Sequence, residues 1–482
     1  MHRTQQSMVF LFALGLGLFV TPGVAQEARQ SDQPVSITAQ ALVLKNVWLI
    51  DGTGAPATGN AWVRIEGDRI TAVGTGTPAP IAGARIMDLE GRTVLPGLID
   101  THVHLRDLEQ ARWMLKLLLA HGVTTVKDAG NSLDNIVNIR LWMRLKAAVP
   151  RLFISGTALA GPPGEMQFLS EGDRTAARVR ENIAFGVDVI KVHNWVSSQA
   201  LRQIVSLAEA NSLDVVGHIP LSMTSIAAID AGMKIVMHAS TLRASELLDD
   251  PELVARYPID LPYPLRWGYW AHFEPVSATL QRTLAAWEKR KEDFFFEPTL
   301  AVLEGMASTH DLEVRENKEL QRLVSPRWRT VWHDTVPGER GGAKLSQDQI
   351  VEAKAAVANM AVFVGLAHGR GIRIITGTDS AGGPPWVVAG DSLHRELELF
   401  VQAGLSPVEA IRSATGTAAE ALIAPDRGTI RVGKLADLVI VRGNLAKNIA
   451  AIREIEQVML NGVLYERAQL LKEASRWALE QQ

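Results

Sequence analysis

Leu95-Pro96-Gly97-Leu98-Ile99-Asp100-Thr101-His102-Val103-His104 is an apolar run that ends in two histidines one residue apart. A strand reverses face at each residue, so His102 and His104 project from the same side. Neutral imidazole is a common zinc ligand, and two of them on one strand end form half a metal site without backbone strain. A pair of ordinary surface histidines has the same spacing, so the rest of the chain must separate the two readings.

Further polar residues stand one by one at the ends of short β-branched runs. Asp188-Val189-Ile190-Lys191-Val192 offers a lysine, Asp214-Val215-Val216-Gly217-His218 a histidine, and Lys234-Ile235-Val236-Met237-His238 another. Arg373-Ile374-Ile375-Thr376-Gly377-Thr378-Asp379-Ser380 ends in an aspartate. In a closed parallel barrel such strand ends converge on one face, where barrel enzymes keep their chemistry.

The ordered series His-X-His, Lys, His, His, Asp resembles the binuclear metal branch of the amidohydrolase superfamily at every ligand position. The resemblance implies two divalent ions. His102, His104 and Asp379 would hold the more buried one, and His218 and His238 the other. Lys191, carrying a carbamate derived from carbon dioxide, would bridge the two together with a hydroxide. An unmodified ammonium is a cation and cannot bind zinc; an ordinary lysine here would lay its stem on the barrel wall and reach water. Zinc is the default for such ligands, with manganese or cobalt as alternatives. Two divalent ions lower the pKa of bound water and polarise a scissile carbonyl. Asp379 would then take the proton and pass it to the leaving amine; its competing reading is a helix N-cap.

The fold expected is α/β. Eight strand and helix repeats over 93–423 read as a (β/α)8 TIM barrel. Its strands lie near Leu98–His104, Val123–Asp128, Leu152–Gly156, Val189–Val192, Val215–His218, Ile235–His238, Phe294–Pro298 and Ile372–Asp379. Ser406-Pro407 marks a helix start, a serine cap followed by proline at the first helical position. The flanks, 41–92 and 424–482, alternate short strands with Gly-rich turns. Both look like the small β-sandwich that amidohydrolases build from their two ends, the second flank closing with a helix. Gly433-Lys434-Leu435-Ala436-Asp437 is similar to the family's closing signature.

Among 482 residues the formal net charge is −3, with no long Lys/Arg run, so nucleic acid is not an expected partner. Met8 to Val20 is an apolar run preceded by Arg3 and followed by small residues ending at Ala25. This reads as a secretory signal peptide over 1–25, with a flexible leader over 26–40. The run is too short for a comfortable span, so no stable membrane anchor is expected after cleavage. There is no cysteine, which fits export to an oxidising periplasm and excludes a thiolate zinc site. Family habit implies a homo-oligomer.

Within the superfamily the details are most similar to the prolidase-like branch, with its Xaa-Pro dipeptidases, imidazolonepropionase-like proteins and ochratoxin-hydrolysing amidases. That branch implies hydrolysis of an amide next to a free carboxylate, in dipeptide-like or N-acyl amino acid substrates. An esterase, lactonase or phosphotriesterase would use the identical ligands. A mononuclear deaminase would use most of the histidines but has no need of a lysine at strand four. The long stretch from His238 to Ile372 holds an aromatic segment, and Pro262 to Glu274 reads either as a lid over the metal face or as packing outside the barrel. Arg266, Tyr269 and His272 are its candidate substrate contacts. His193 and Asn194 follow Lys191 into the pocket with no ligand role assigned.

Overall fold

The computed structural model describes residues 41–145, 148–161, 169–257, 265–308, 318–329, 346–380 and 387–479. The expected signal peptide and leader, and residues 262–264 of the expected lid, lie outside them.

Strands β1 (Leu42–Leu49), β2 (Thr58–Glu66), β3 (Arg69–Thr75), β4 (Arg85–Asp88) and β5 (Thr93–Pro96) come first in the chain. Then follow β6 (Leu98–Val103), β7 (Val123–Asp128), β8 (Arg151–Ile154), β9 (Val189–Val192), β10 (Asp214–His218), β11 (Met233–Met237) and β12 (Phe295–Glu297). The last three are β13 (Leu438–Val441), β14 (Ile455–Leu460) and β15 (Val463–Glu466).

The two ends of the described chain meet in one mixed sheet of eight strands, in the order β15-β14-β13-β5-β1-β2-β3, with β4 also paired to β1. Both flanks of the sequence thus contribute to one small β unit, as expected. Strand β1 changes parallel partners along its length, pairing through Leu42–Lys45 with β4 and through Trp48 and Leu49 with β5. Ile70 N donates to Lys434 O at 2.9 Å and Gly433 N to Ile70 O at 2.8 Å, which brings β3, the last strand of that order, onto the segment leading into β13. The sheet's own apolar core gathers Leu44, Val63, Val94, Ile440 and Met459. Strand β5 is the seam, since Thr93 to Pro96 pair antiparallel with Val441 to Leu438. The sheet thus runs past the boundary expected at 92/93. At the next residue the chain leaves it, and only glycine fits there: a Cβ on Gly97 would lie 2.1 Å from Thr124 Oγ1.

The remaining strands are parallel and lie in two groups, β6-β7-β8 and β12-β11-β10-β9. Three joints link them. Leu159 N donates to Lys191 O at 2.8 Å and His193 N to Leu159 O at 2.9 Å, bringing the segment after β8 onto β9. Phe296 N donates to Arg373 O and Ile375 N to Phe296 O, both at 2.9 Å. Thr101 N to Thr376 O (3.1 Å), Asp379 N to His102 O (2.8 Å) and His104 N to Ser380 O (3.1 Å) carry the segment 373–380 back to β6. The Ile372–Asp379 strand of the sequence reading is thus present as isolated bridges at Ile374 and Ser380.

These strands are apolar on both faces, as Val189-Ile190-Lys191-Val192 shows with all four residues buried. Helices alternate with them, and several begin at side-chain caps. Asp107 accepts from Gln110 N ahead of Leu108–Ala120, and Ser197 from Ala200 N ahead of Ser198–Glu209. Ser406 and Glu409 form a reciprocal capping box with Pro407 at the first position, as the sequence predicts.

The aromatic segment is packed, not loose. In Leu265–His272, Trp267 and Trp270 are fully buried, and Trp270 meets Phe363 edge-on at 5.5 Å. Phe363 belongs to the helix Gln347–Gly369, whose Asn359 Nδ2 donates to Trp270 O at 2.7 Å.

Candidate metal centre

The ends of the parallel strands bring the predicted residues together. His102, the last residue but one of β6, is fully buried, and its Nε2 lies 3.6 Å from Asp379 Oδ1. His104, two residues on and on the same side, reaches the same oxygen with Nε2 at 3.1 Å. The rings of His102 and His238 are 4.9 Å apart. Ligand atoms of His102, His238 and Asp379 all lie within 4.8 Å of one another, a group able to hold a metal ion.

His218 and His238 face each other through Nε2 atoms 3.1 Å apart. Their other nitrogens are committed elsewhere: His218 Nδ1 to Asn194 Oδ1 and His238 Nδ1 to Thr299 Oγ1, each at 2.7 Å. Asn194 Oδ1 accepts only, so His218 carries its proton on Nδ1 and turns a lone pair inward from Nε2. With the His238 proton on Nδ1, donated to the Thr299 hydroxyl, the two Nε2 lone pairs would face each other, an arrangement that suits a cation held by both. Lys191 is buried beneath them, its Nζ 2.6 Å from Met237 Sδ.

Burial sets the proton chemistry of this cluster. It pushes His102 down to about 4, with the Lys191 ammonium adding to the effect. It holds His218 and His238 well below the usual imidazole range. It also brings Lys191 down to about 7. Burial alone would raise Asp379, but the imidazoles of His102, His104 and His238 overrule it and keep the carboxyl ionised. At neutral pH His102, His218 and His238 therefore offer lone pairs beside an ionised Asp379, whereas His104, which burial would lower, is raised by its contact with Asp379, and a divalent cation held there would displace that proton.

The backbone marks the same place. Asp379 (φ 52), His238 (φ 63) and Thr299 (φ 52) are non-glycine residues in the left-handed region, the last two just past the ends of β11 and β12 and the first in the bridged segment beside β6. Such conformations cost of order 1–3 kcal/mol each and collect at functional sites.

Sequence reading missed Glu297, Lys127 and Thr299. Glu297 in β12 is fully buried and meets His102 Nδ1 through Oε1 at 2.6 Å, and Thr101 Oγ1 donates to its other oxygen. Lys127 in β7 lies with Nζ 3.6 Å from Glu297 Oε2. The available signal was a charged residue inside a short strand, after an all-aromatic run in Phe294-Phe295-Phe296-Glu297 and between β-branched residues and Asp128 in Val123-Thr124-Thr125-Val126-Lys127. His193 stacks on His218 with ring centres 4.0 Å apart.

Asn194 connects the cluster to a cavity of about 190 Å³, also lined by Ser240, Arg243, Ser245, Arg266 and Tyr269. Two of the three predicted substrate contacts, Arg266 and Tyr269, line it. His272 does not; its Nε2 lies 2.9 Å from Tyr257 OH and 3.5 Å from Glu352. Tyr269 OH donates to Leu242 O, which fixes its ring as cavity wall.

Among solved structures, the chain is similar to a bottromycin amidohydrolase, at 24% identity and a TM-score of 0.68 over 91% of this chain and 90% of that one. It is also similar to a Xaa-Pro dipeptidase with methionine bound in its active site, at 21% identity and a TM-score of 0.64 over 89% and 100%. At these identities the likeness is one of fold. An N-acyl-D-glutamate deacylase from Alcaligenes xylosoxydans xylosoxydans is 40% identical over 85 residues, which are 18% of this chain and 17% of that enzyme. The first curated relatives are thus matched over about a fifth of their own length. Residues 93–259 and 342–464 match the amidohydrolase family, and they include His102, His104, Lys191, His218, His238 and Asp379. With more than half of the chain in that match, the protein belongs to the amidohydrolase family.

Proposed function

We propose that this protein is an exported, binuclear metal-dependent amidohydrolase that cleaves amide or peptide bonds in small substrates bearing a free carboxylate. The observation that carries the reading is the pair of opposed His218 and His238 Nε2 atoms beside the His102, His104 and Asp379 cluster, with Lys191 buried beneath. Family membership supports reading the ring of parallel segments as a (β/α)8 barrel. The apolar segment ending at Ala25 supports a signal peptide and a periplasmic address.

His102, His104 and Asp379 would hold one ion, and His218 and His238 the second. Bound there, divalent zinc supplies a Lewis acid for the scissile carbonyl and makes water acidic enough to attack at neutral pH. Lys191 is suited to bridging because burial leaves much of it as free amine at neutral pH. That amine adds to carbon dioxide and releases one proton, giving an anionic carbamate. Asp379, ionised and at the mouth of the cluster, accepts the proton of the attacking water and delivers it to the leaving nitrogen. Arg243 and Arg266 give the adjoining cavity the planar donors that suit a carboxylate, which supports dipeptide-like and N-acyl amino acid substrates.

Metal content per chain tests the reading, on protein purified with zinc and bicarbonate beside the Lys191→Ala variant. Activity on dipeptides, N-acyl amino acids, esters, lactones and phosphotriesters is measured alongside. Two ions in the parent, loss of metal and turnover in the variant, and preference for amides with a free carboxylate are expected. One ion in both proteins with unchanged activity would move the reading to the mononuclear deaminases. Preference for another bond class would overturn the amidase assignment alone.

A further inference from the structure

Two lysines lie buried under the candidate centre, and they are not equivalent. Lys191 makes no ion pair among the described residues, whereas Lys127 Nζ stands 3.6 Å from Glu297 Oε2 with both side chains wholly excluded from solvent. Glu297 Oε2 also accepts from Thr101 Oγ1, while Oε1 faces His102 Nδ1 at 2.6 Å. The three strands involved are β7 for Lys127, β12 for Glu297 and β6 for Thr101 and His102. Gly377 leaves the room this needs: a Cβ there would lie 2.7 Å from both Glu297 Cδ and His102 Cβ.

We infer that Lys127 and Glu297 are positioning residues, a buried ion pair whose carboxylate fixes the ring orientation and tautomer of His102 so that its Nε2 lone pair is presented to a metal ion. The inference rests on the metal reading above. A carboxylate opposite Nδ1 requires the ring proton there, which leaves Nε2 as the bare nitrogen facing Asp379 and makes it more basic. The ammonium of Lys127 is what permits a carboxylate at this depth, since an isolated one would be neutralised. Lys127 thus acts on the metal through Glu297, and Glu297 through His102.

The structural and positioning roles come apart in a set of variants read by zinc affinity, using chelator competition on the full chain, together with thermal unfolding of the metal-free protein. Lys127→Met alone strands a buried carboxylate and lowers the unfolding temperature. Lys127→Met combined with Glu297→Gln removes both charges and recovers much of that loss. The double variant and Glu297→Gln are each expected to bind zinc about 10- to 100-fold more weakly than the parent. A double variant that folds and binds zinc like the parent overturns the inference while leaving the metal reading intact. A parent that takes up no zinc overturns both. Should the Lys127 and Glu297 variants fail to fold, Thr101→Val, which removes one donor to Glu297, decides: weakened zinc binding supports the inference, and parental affinity overturns it.

Discussion

Adding a single methyl group at Gly377 provides a direct test of how tightly the centre is assembled. In Gly377→Ala the new carbon would sit 2.7 Å from His102 Cβ, 2.7 Å from Glu297 Cδ and 2.8 Å from Glu297 Cγ. Carbon atoms rest at about 3.5–4.0 Å, so β6 and β12 must part by about 1 Å, or His102 must swing off Glu297. Overpacking of this kind costs about 1–3 kcal/mol. The 2.6 Å contact between His102 and Glu297 lies directly across the wedge, so the displacement is expected to lower zinc affinity by about 10- to 100-fold as well. Urea unfolding of the metal-free protein reads the first effect, and chelator competition the second. Gly369→Ala is the control, because a Cβ there meets nothing within 4 Å and the site is the last residue of the helix Gln347–Gly369. It should leave both measurements at or slightly above the parental value. If Gly377→Ala unfolds at the parental urea midpoint and keeps parental zinc affinity, the packing account of the centre is wrong.

Asp379→Asn keeps the shape of the side chain but removes the proton acceptor, and turnover should fall by about 10²–10⁴-fold at saturating substrate while the protein stays folded; parental kcat would remove Asp379 from the proton transfer. Arg243→Gln should raise KM for carboxylate-bearing substrates at least tenfold with a smaller change for their amidated analogues, and equal effects on both would argue against the cavity as a carboxylate subsite. His121 and His394 form a second buried imidazole pair, ring centres 5.4 Å apart, between the C-terminus of Leu108–Ala120 and the helix Asp391–Gln402. Burial pushes His121 down to about 4 and holds His394 well below the imidazole range. The unfolded chain takes up these protons below about pH 6.5 and the fold does not, so stability is full above that pH and declines as pH falls toward 4. Urea midpoints at pH 7 and pH 5 should show this decline, and replacing His394 with Gln, which still donates to His121 O, should reduce it.

The candidate ligands were legible because each stands at the end of a short apolar run, where alternation and strand length leave little choice of direction. The helix starts were legible for a similar reason, a local one: Ser406, Pro407 and Glu409 satisfy the orphan donors of their own first turn. Glu297 and Lys127 were not, although each is a charged residue within a short buried strand. A charge in such a strand has meaning only through its partner, and Lys127, Glu297 and His102 come from strands 25 to 195 residues apart. The pairing order of the flanking strands was not legible either. The sequence has the alternation of each flanking strand, but pairing is a choice between strands, and β1 divides its edge between β4 and β5. The aromatic segment at Leu265–His272 could have been lid or wall until the Gln347–Gly369 helix was placed against it. From sequence alone came the order and type of the chemical groups, because strand periodicity and capping act over a few residues. Tertiary structure alone decided which nitrogen of each histidine faces inward, which lysine is paired and which is left for other chemistry, because those depend on hydrogen bonds and burial that exist only once the strands have closed on one another.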